Sequence, residues 1–157
     1  MTNYEIDTKV PLIISTPQLK GKSIKSKRLV EFVDVYPTLC DLAGISIPET
    51  LEGISVVPLF KNPDRPWKKA AFSQFLREGI WVAPDGIEYM GYSIRTENHR
   101  YTEWVNWETN VLTAIELYDH TTDSNENINI AGIEENKSII KELSEKLKLG
   151  WRAALPD

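Results

Sequence analysis

The chain has 157 residues, 41% of them hydrophobic, with five Trp, six Tyr and a formal net charge of -5. It is the size of one domain, long enough to bury about 70% of its unfolded surface, and its acidic balance offers no footprint for nucleic acid or an anionic membrane. Cys40 is the single cysteine, which excludes an intramolecular disulfide and any cysteine-built zinc or redox motif, and no apolar run reaches the roughly 20 residues of a membrane span.

Met1–Lys9 is polar and does not read as a signal peptide, so the sequence places any export signal outside this stretch. Val10–Ile14 (VPLII) is a β-branched apolar run closed by Ser15-Thr16-Pro17. Such a run predicts a strand buried on both faces, as in a parallel sheet covered by helices. The rest of the chain has no strand–helix–strand pattern to supply its neighbours. Gln18–Arg28, with five basic residues among Gly and Ser, predicts a solvated loop.

Asp34 is placed to N-cap a helix over Val35–Ala43, with Pro37 in its first turn, Gly44 as its stop and Cys40 as a buried structural thiol. Ile45–Asn62 predicts an ordered loop with a Glu52-Gly53 turn and a short helical turn at Val57–Phe60. A boundary falls at 61–67, before strands begin. Ala70–Phe75 alternates, with Ala70, Phe72 and Gln74 on one face; Arg77–Ile87 reads as a loop.

Met90–Trp107 predicts the central hairpin. Met90, Tyr92 and Ile94 fall on one face and Gly91, Ser93 and Arg95 on the other; on the return strand Tyr101 and Val105 share a face with Glu103. The turn is centred on Glu97 and Asn98, in a loop of either two or four residues. The two-residue loop sets Arg95 opposite Arg100, an unfavourable pairing of roughly a few tenths to 1 kcal/mol that needs an acidic neighbour or an anion to relieve it. Ala114–Asp119 is a fourth strand. Glu134–Leu149 is a covering helix with Ile139, Ile140, Leu143 and Leu147 on one stripe, a Glu142–Lys146 pair and Gly150 as its stop. The fold class is α+β: a four-stranded antiparallel sheet covered by a C-terminal helix.

No catalytic centre assembles from the residues themselves. Asp123, Asn125, Asn127, Asn129 and Glu134 fit the spacing of an EF-hand loop, but Ile128 stands where that loop requires Gly, so the stretch reads as an Asx-rich loop. His99 and His120 have no nucleophile in a recognisable elbow, and Asp119, His120 and Asp123 are too few and too local for a metal centre. Glu52, Gln74, Arg77, Trp81, Arg95 and His99 remain as polar or aromatic residues suited to a binding wall.

Six segments in order, Asn3–Pro17, Val33–Gly44, Leu51–Phe60, Phe72–Gln74, Met90–Trp104 (MGYSIRT, RYTEW) and Glu116–Asn129 (ELYD, D-x-x-E-N-x-N), resemble the C-terminal end of a type I sulfatase, most closely the iduronate-2-sulfatase group. The resemblance implies that residues 1–66 are the tail of the sulfatase (alkaline-phosphatase-like) α/β domain, with VPLII a leftover strand, and that 67–157 are the C-terminal subdomain. It implies hydrolysis of sulfate esters by the complete enzyme, with a formylglycine and a calcium ion held outside this chain. Leu42 and Gly44 follow Cys40 where the formylglycine motif needs Pro or Ala and then Arg. A sulfate-contacting Lys of similar sulfatases falls just before Met1.

By position, Glu52, Arg77 and Trp81 resemble substrate-side residues, and an Arg there can hold a carboxylate through two hydrogen bonds; Arg77 bracing the sheet is the equal alternative. The implied partners are the sulfatase N-terminal catalytic domain and a sulfated sugar, and the chain by itself is expected to be inactive. Self-association through Val10–Ile14 is a further expectation. Complete bacterial relatives would be periplasmic or exported. The competing readings are a non-catalytic module binding sulfated glycans and a subunit of a split enzyme.

Overall fold

The computed structural model describes residues 2–78 and 85–156, with Gln18 described by its backbone alone. Its contacts divide the chain into two units. One joins residues 1–10 to 70–155, and the other is essentially 11–69. The first ten residues fold with the sheet rather than with the segment that follows them.

The sheet unit contains β1 (Ala71–Arg77), β2 (Tyr89–Arg95), β3 (His99–Asn106) and β4 (Leu112–Asp119), antiparallel throughout and in the order β1-β2-β3-β4. Phe72 opposes Ile94, Ile94 opposes Tyr101, and Tyr101 opposes Leu117. Side chains alternate across a strand, so these four share one face. Helix α4 (Lys137–Leu149) covers that face with Ile139, Ile140, Leu143 and Leu147, the stripe predicted from the sequence. Ile94, Tyr101, Leu117 and Leu143 are buried there. Glu142 and Lys146 pair at 2.6 Å on its solvent side, and Gly150 ends it. A bulge between Trp104 and Val105 interrupts the β3–β4 register.

The opposite face is lined by Gly91, Ser93, Arg95, Arg100, Thr102 and Trp104, and its cover is the N-terminal segment with α1 (Glu5–Thr8). Asn3 enters by donating from Nδ2 to the Gly91 carbonyl at 2.9 Å. A Cβ at Gly91 would stand 2.5 Å from Asn3 Nδ2 and 2.6 Å from the Trp104 ring, so glycine is what lets the segment approach.

In the other unit, α2 (Val35–Ala43) ends at Gly44, φ 68°, and α3 (Val57–Lys61) follows an ordered loop. Cys40 is buried. Asp34 stands at the N-cap position but makes no capping bond to its own helix. Its carboxylate instead accepts from Glu31 N (2.9 Å), Ile54 N (2.9 Å) and Lys68 Nζ (2.7 and 2.9 Å). That reach requires Gly53: an added Cβ would lie 1.9 Å from the Val33 carbonyl oxygen. A small core of Val56, Leu59 and Trp67 completes the unit.

Val10–Ile14 is not a strand. It pairs with no neighbour, and Val10, Leu12 and Ile13 are exposed. An apolar, β-branched stretch forms a strand only where another strand accepts its backbone bonds, and none of the four strands present pairs with it.

Candidate functional site

The densest polar cluster of the sheet unit grows from the hairpin. Thr96 N donates to the His99 carbonyl at 2.8 Å, closing the two-residue turn over Glu97 and Asn98. This register sets Arg95 opposite Arg100. The acidic neighbour it demands is Glu5, whose Oε2 accepts from Arg95 Nε at 3.2 Å and Arg100 Nη2 at 2.8 Å.

Glu126 supplies a second carboxylate. Its Oε1 lies 2.6 Å from Arg100 Nε and 2.7 Å from His120 Nε2, while its Oε2 accepts from Glu5 N at 2.7 Å. Arg100 also donates to Thr8 Oγ1 at 2.9 Å. Arg100 and Glu126 are buried, and charges so placed persist only when paired and hydrogen-bonded. Burial alone would raise the Glu5 carboxyl's pKa, yet Arg95 and Arg100 together hold it below its ordinary value.

Glu126 has φ 58°, a left-handed conformation uncommon for a residue with a side chain. The Asx-rich loop imposes it: Asp123 accepts from Ile128 N and Asn127 Nδ2, both at 2.9 Å, and Asn129 Oδ1 accepts from Leu117 N and Ala131 N at 3.0 Å. The loop therefore serves to turn one glutamate under the sheet. Asp123 and Asn129 thus bond the backbone of the loop and of β4.

An open cleft of about 680 Å³ adjoins the cluster, with Tyr4, Lys9, Arg95, His120 and Asn125 among its walls. Glu5, His120 and Glu126 bring three potential ligand atoms within 4.8 Å of one another. Both carboxylates pair with guanidinium groups, which clamps the N-terminal segment to the sheet.

The substrate-side residues named from sequence are dispersed. Glu52 is exposed beside Gly53 in the unit of residues 11–69. Arg77 ends β1 in the sheet unit, its guanidinium 3.8 Å from the centroid of the Trp104 ring, and it makes no hydrogen bond to another described residue. Trp81 lies outside the described residues. Of the other binding-wall candidates, Gln74 is exposed, while Arg95 and His99 are half-buried and Arg95 is engaged by Glu5.

Sequence reasoning missed Glu126, whose left-handed turn and long-range ion pair leave no periodic trace, and Lys68. The signal available for Glu5 was the Arg95–Arg100 pairing, which asked for an acid without saying where in the chain it would come from.

The family model described as N-sulphoglucosamine sulphohydrolase, C-terminal, matches residues 2–151. Among curated proteins the chain is similar to arylsulfatase K of Bos taurus (28% identity; 94% of this chain, 26% of that protein). It is also similar to the N-acetylglucosamine-6-O-sulfatase of Bacteroides thetaiotaomicron (30% identity; 92% and 25%). The chain thus spans about a quarter of the length of these relatives.

A solved protein in complex with its substrate D-glucosamine-2-N,6-O-disulfate superposes with a TM-score of 0.60 at 28% identity, over 74% of this chain and 22% of that one. A second structure, titled for glycosaminoglycan metabolism by Bacteroides thetaiotaomicron, has a TM-score of 0.62 at 22% identity over 77% of this chain and 26% of that one, and shows the fold alone. With 150 consecutive residues matched and the sheet and covering helix shared, the chain belongs to the N-sulphoglucosamine sulphohydrolase C-terminal family of the type I sulfatases.

Proposed function

We propose that this chain is the C-terminal part of a sulfatase that hydrolyses sulfate esters of a sulfated sugar, and that it contributes scaffold and one wall of the substrate pocket. The observation that carries the reading is the family match over residues 2–151. Arg77 is the residue on which the pocket-wall role rests. Its guanidinium lies 3.8 Å from the centroid of the Trp104 ring and its N–H groups are unused by described residues, a fork that suits a carboxylate or sulfate. Glu52 and Trp81 are proposed as substrate-side residues on the family resemblance alone. Within the sulfatases we place the chain nearest the iduronate-2-sulfatase group on MGYSIRT and RYTEW.

The described residues of this chain do not fit the two groups such an enzyme carries. Calcium takes six to eight oxygen ligands, whereas Glu5 and Glu126 are saturated by arginines and His120 offers nitrogen. Cys40 is buried in α2 without the formylglycine motif. Calcium and formylglycine are therefore assigned to the rest of the enzyme, and no step is routed through them here.

The test is a fusion in which this chain replaces the matching quarter of the Bacteroides thetaiotaomicron N-acetylglucosamine-6-O-sulfatase. The fusion is expected to turn over a sulfated monosaccharide while the isolated chain does not. Arg77→Ala should raise KM at least about tenfold with little change in kcat or melting temperature, since the lost bond is made equally in ground and transition states. Turnover by the isolated chain, with contaminating sulfatase excluded, would sink the reading. A preference of the fusion for 2-sulfated iduronate over 6-sulfated glucosamine, lost in Arg77→Ala, would support the finer assignment.

A further inference from the structure

The charge of the chain is segregated between its two units. Residues 11–69 carry nine Lys and Arg against six Asp and Glu, a balance of +3, whereas residues 1–10 and 70–155 carry nine against sixteen, a balance of -7. Five of the nine cations in the smaller unit stand in the run KGKSIKSKR at 20–28, which holds no carboxylate. Lys20, Lys22, Lys25 and Lys27 are exposed, and their side chains make no hydrogen bond or ion pair to a described residue. Other cations of the chain behave differently: Lys9, Lys68, Arg95, Arg100, Lys137 and Lys146 each stand within 3.6 Å of a carboxylate.

The run is nevertheless held in place. Lys22 N donates to the Leu19 carbonyl at 2.9 Å, closing a turn in which Gly21 has φ 76°. Further on, Ser26 Oγ donates to the Pro63 carbonyl at 2.7 Å, and the Arg28 guanidinium donates to the Asp64 carbonyl. Ser26 is thus tied down between two exposed lysines, Lys25 and Lys27. The segment it is tied to, 61–66, adds Lys61 and Arg65, both exposed, against a single carboxylate, Asp64. Unpaired cations gathered on anchored backbone sum to a local positive field on an otherwise acidic chain, and the anchors lower the ordering cost of binding.

We propose that this surface, formed by Lys20, Lys22, Lys25 and Lys27 with Lys61 and Arg65, binds a sulfated polysaccharide through residues other than those of the pocket wall, so that the sulfatase takes sulfate esters carried in a polyanionic chain. The inference rests on the sulfatase reading, which makes the ligand a sulfated sugar; sugars joined in a chain repeat that charge along its length. Lysine, a point charge on a flexible stem, meets such a row of charges without the planar bidentate geometry that arginine imposes. The run offers no aromatic side chain on which a nucleic-acid base could stack. Ile24 is its single large apolar residue, too little to seat it in a bilayer.

The test combines Lys20→Gln, Lys22→Gln, Lys25→Gln and Lys27→Gln, in this chain and in the fusion described above, with a heparin oligosaccharide ending in 6-sulfated glucosamine as the polymer probe. All four positions are exposed and unpaired, so the quadruple variant should melt with its parent. The parental chain should bind the oligosaccharide with an affinity that falls steeply with salt, and the variant should bind at least about tenfold more weakly with a flatter salt dependence, because fewer counterions are displaced. In the fusion the variant should raise KM for the oligosaccharide at least about tenfold while kcat, and KM for a sulfated monosaccharide, keep their parental values. A purely structural role for the run would move both substrates together. A folded variant that binds the oligosaccharide as tightly as its parent overturns the proposal. So does a parental chain that binds a single-stranded oligonucleotide or anionic phospholipid vesicles as tightly as the oligosaccharide at equal ionic strength, since the surface would then not be built for sulfated sugar. Lysine-dependent binding of the oligosaccharide beside a fusion that folds yet hydrolyses no sulfate ester would leave the surface standing and refute the sulfatase reading.

Discussion

The two units solve one electrostatic problem in two settings. In the sheet unit Arg100 is enclosed between Glu126 and Glu5; in the unit of residues 11–69 Lys68 is enclosed between Asp34 and Glu31, with Nζ 2.7 Å from each. Each places a buried cation between two carboxylates drawn from distant sequence. The surroundings differ. Arg100 lies on a sheet whose other face holds the cluster of Ile94, Tyr101, Leu117 and Leu143 beneath α4, whereas Lys68 serves a unit whose buried apolar cluster is Val56, Leu59 and Trp67 and whose helix turns an apolar face outward. A polar knot fixes chain geometry in both, and only the sheet unit has a hydrophobic core large enough to hold that geometry by itself.

Removing the cation from each knot tests this contrast most severely. Breaking one partner out of a buried pair costs about 3–5 kcal/mol, because the stranded charges stay desolvated. Arg100→Met and Lys68→Met should each show that loss by urea unfolding. Hydrogen exchange should then part them: Lys68→Met releases protection across residues 30–60 while β2–β3 amides stay slow, and Arg100→Met lowers protection of the N-terminal segment first. If Lys68→Met unfolds both units together, the idea that the sheet unit is self-sufficient is wrong.

The glycines give a middle-sized test, because what an added methyl would strike differs in kind. At Gly53 the obstacle is backbone, the Val33 carbonyl at 1.9 Å. At Gly91 the nearest obstacles are side chains, Asn3 Nδ2 and the Trp104 ring. Overpacking costs typically about 1–3 kcal/mol, and an obstacle that cannot turn aside belongs at the top of that range. Gly53→Ala is expected near 3 kcal/mol and Gly91→Ala nearer 1 kcal/mol, measured as shifts in denaturation midpoint. The reverse order would mean that the loop carrying Gly53 is easily displaced.

What could be read from the sequence followed periodicity and local chemistry. The Val35–Ala43 helix with its Gly44 stop, the α4 stripe and the hairpin faces come from spacings within a few residues, and the structure reproduces them. The Arg95–Arg100 clash even stated what was missing. Glu5 and Glu126 remained unassigned because a partner 95 or 26 residues away has no local signature. Val10–Ile14 misled for the complementary reason: β-propensity reports a side chain's fit to a sheet surface and says nothing of whether that sheet is in the same stretch of chain.

The smallest expected effect concerns acid. Glu5 has its folded pKa held below the ordinary 4.5 by Arg95 and Arg100, against the opposing pull of burial. A group whose pKa is depressed on folding adds stability that is complete above its unfolded value and disappears as pH falls through its folded value. The sheet unit should therefore lose stability from about pH 4.5 downward, and Glu5→Gln should flatten that limb of the profile while leaving residues 11–69 with the parental acid response. The effect is modest because the Glu5 side chain keeps 16% of its exposure, where those of Asp34 and Glu126 keep none. Tryptophan fluorescence across a pH series, with exchange protection read separately in the two units, measures it. An unchanged acid limb in Glu5→Gln would show that Glu126 alone secures the N-terminal segment, and that the second carboxylate of the sheet's knot is dispensable.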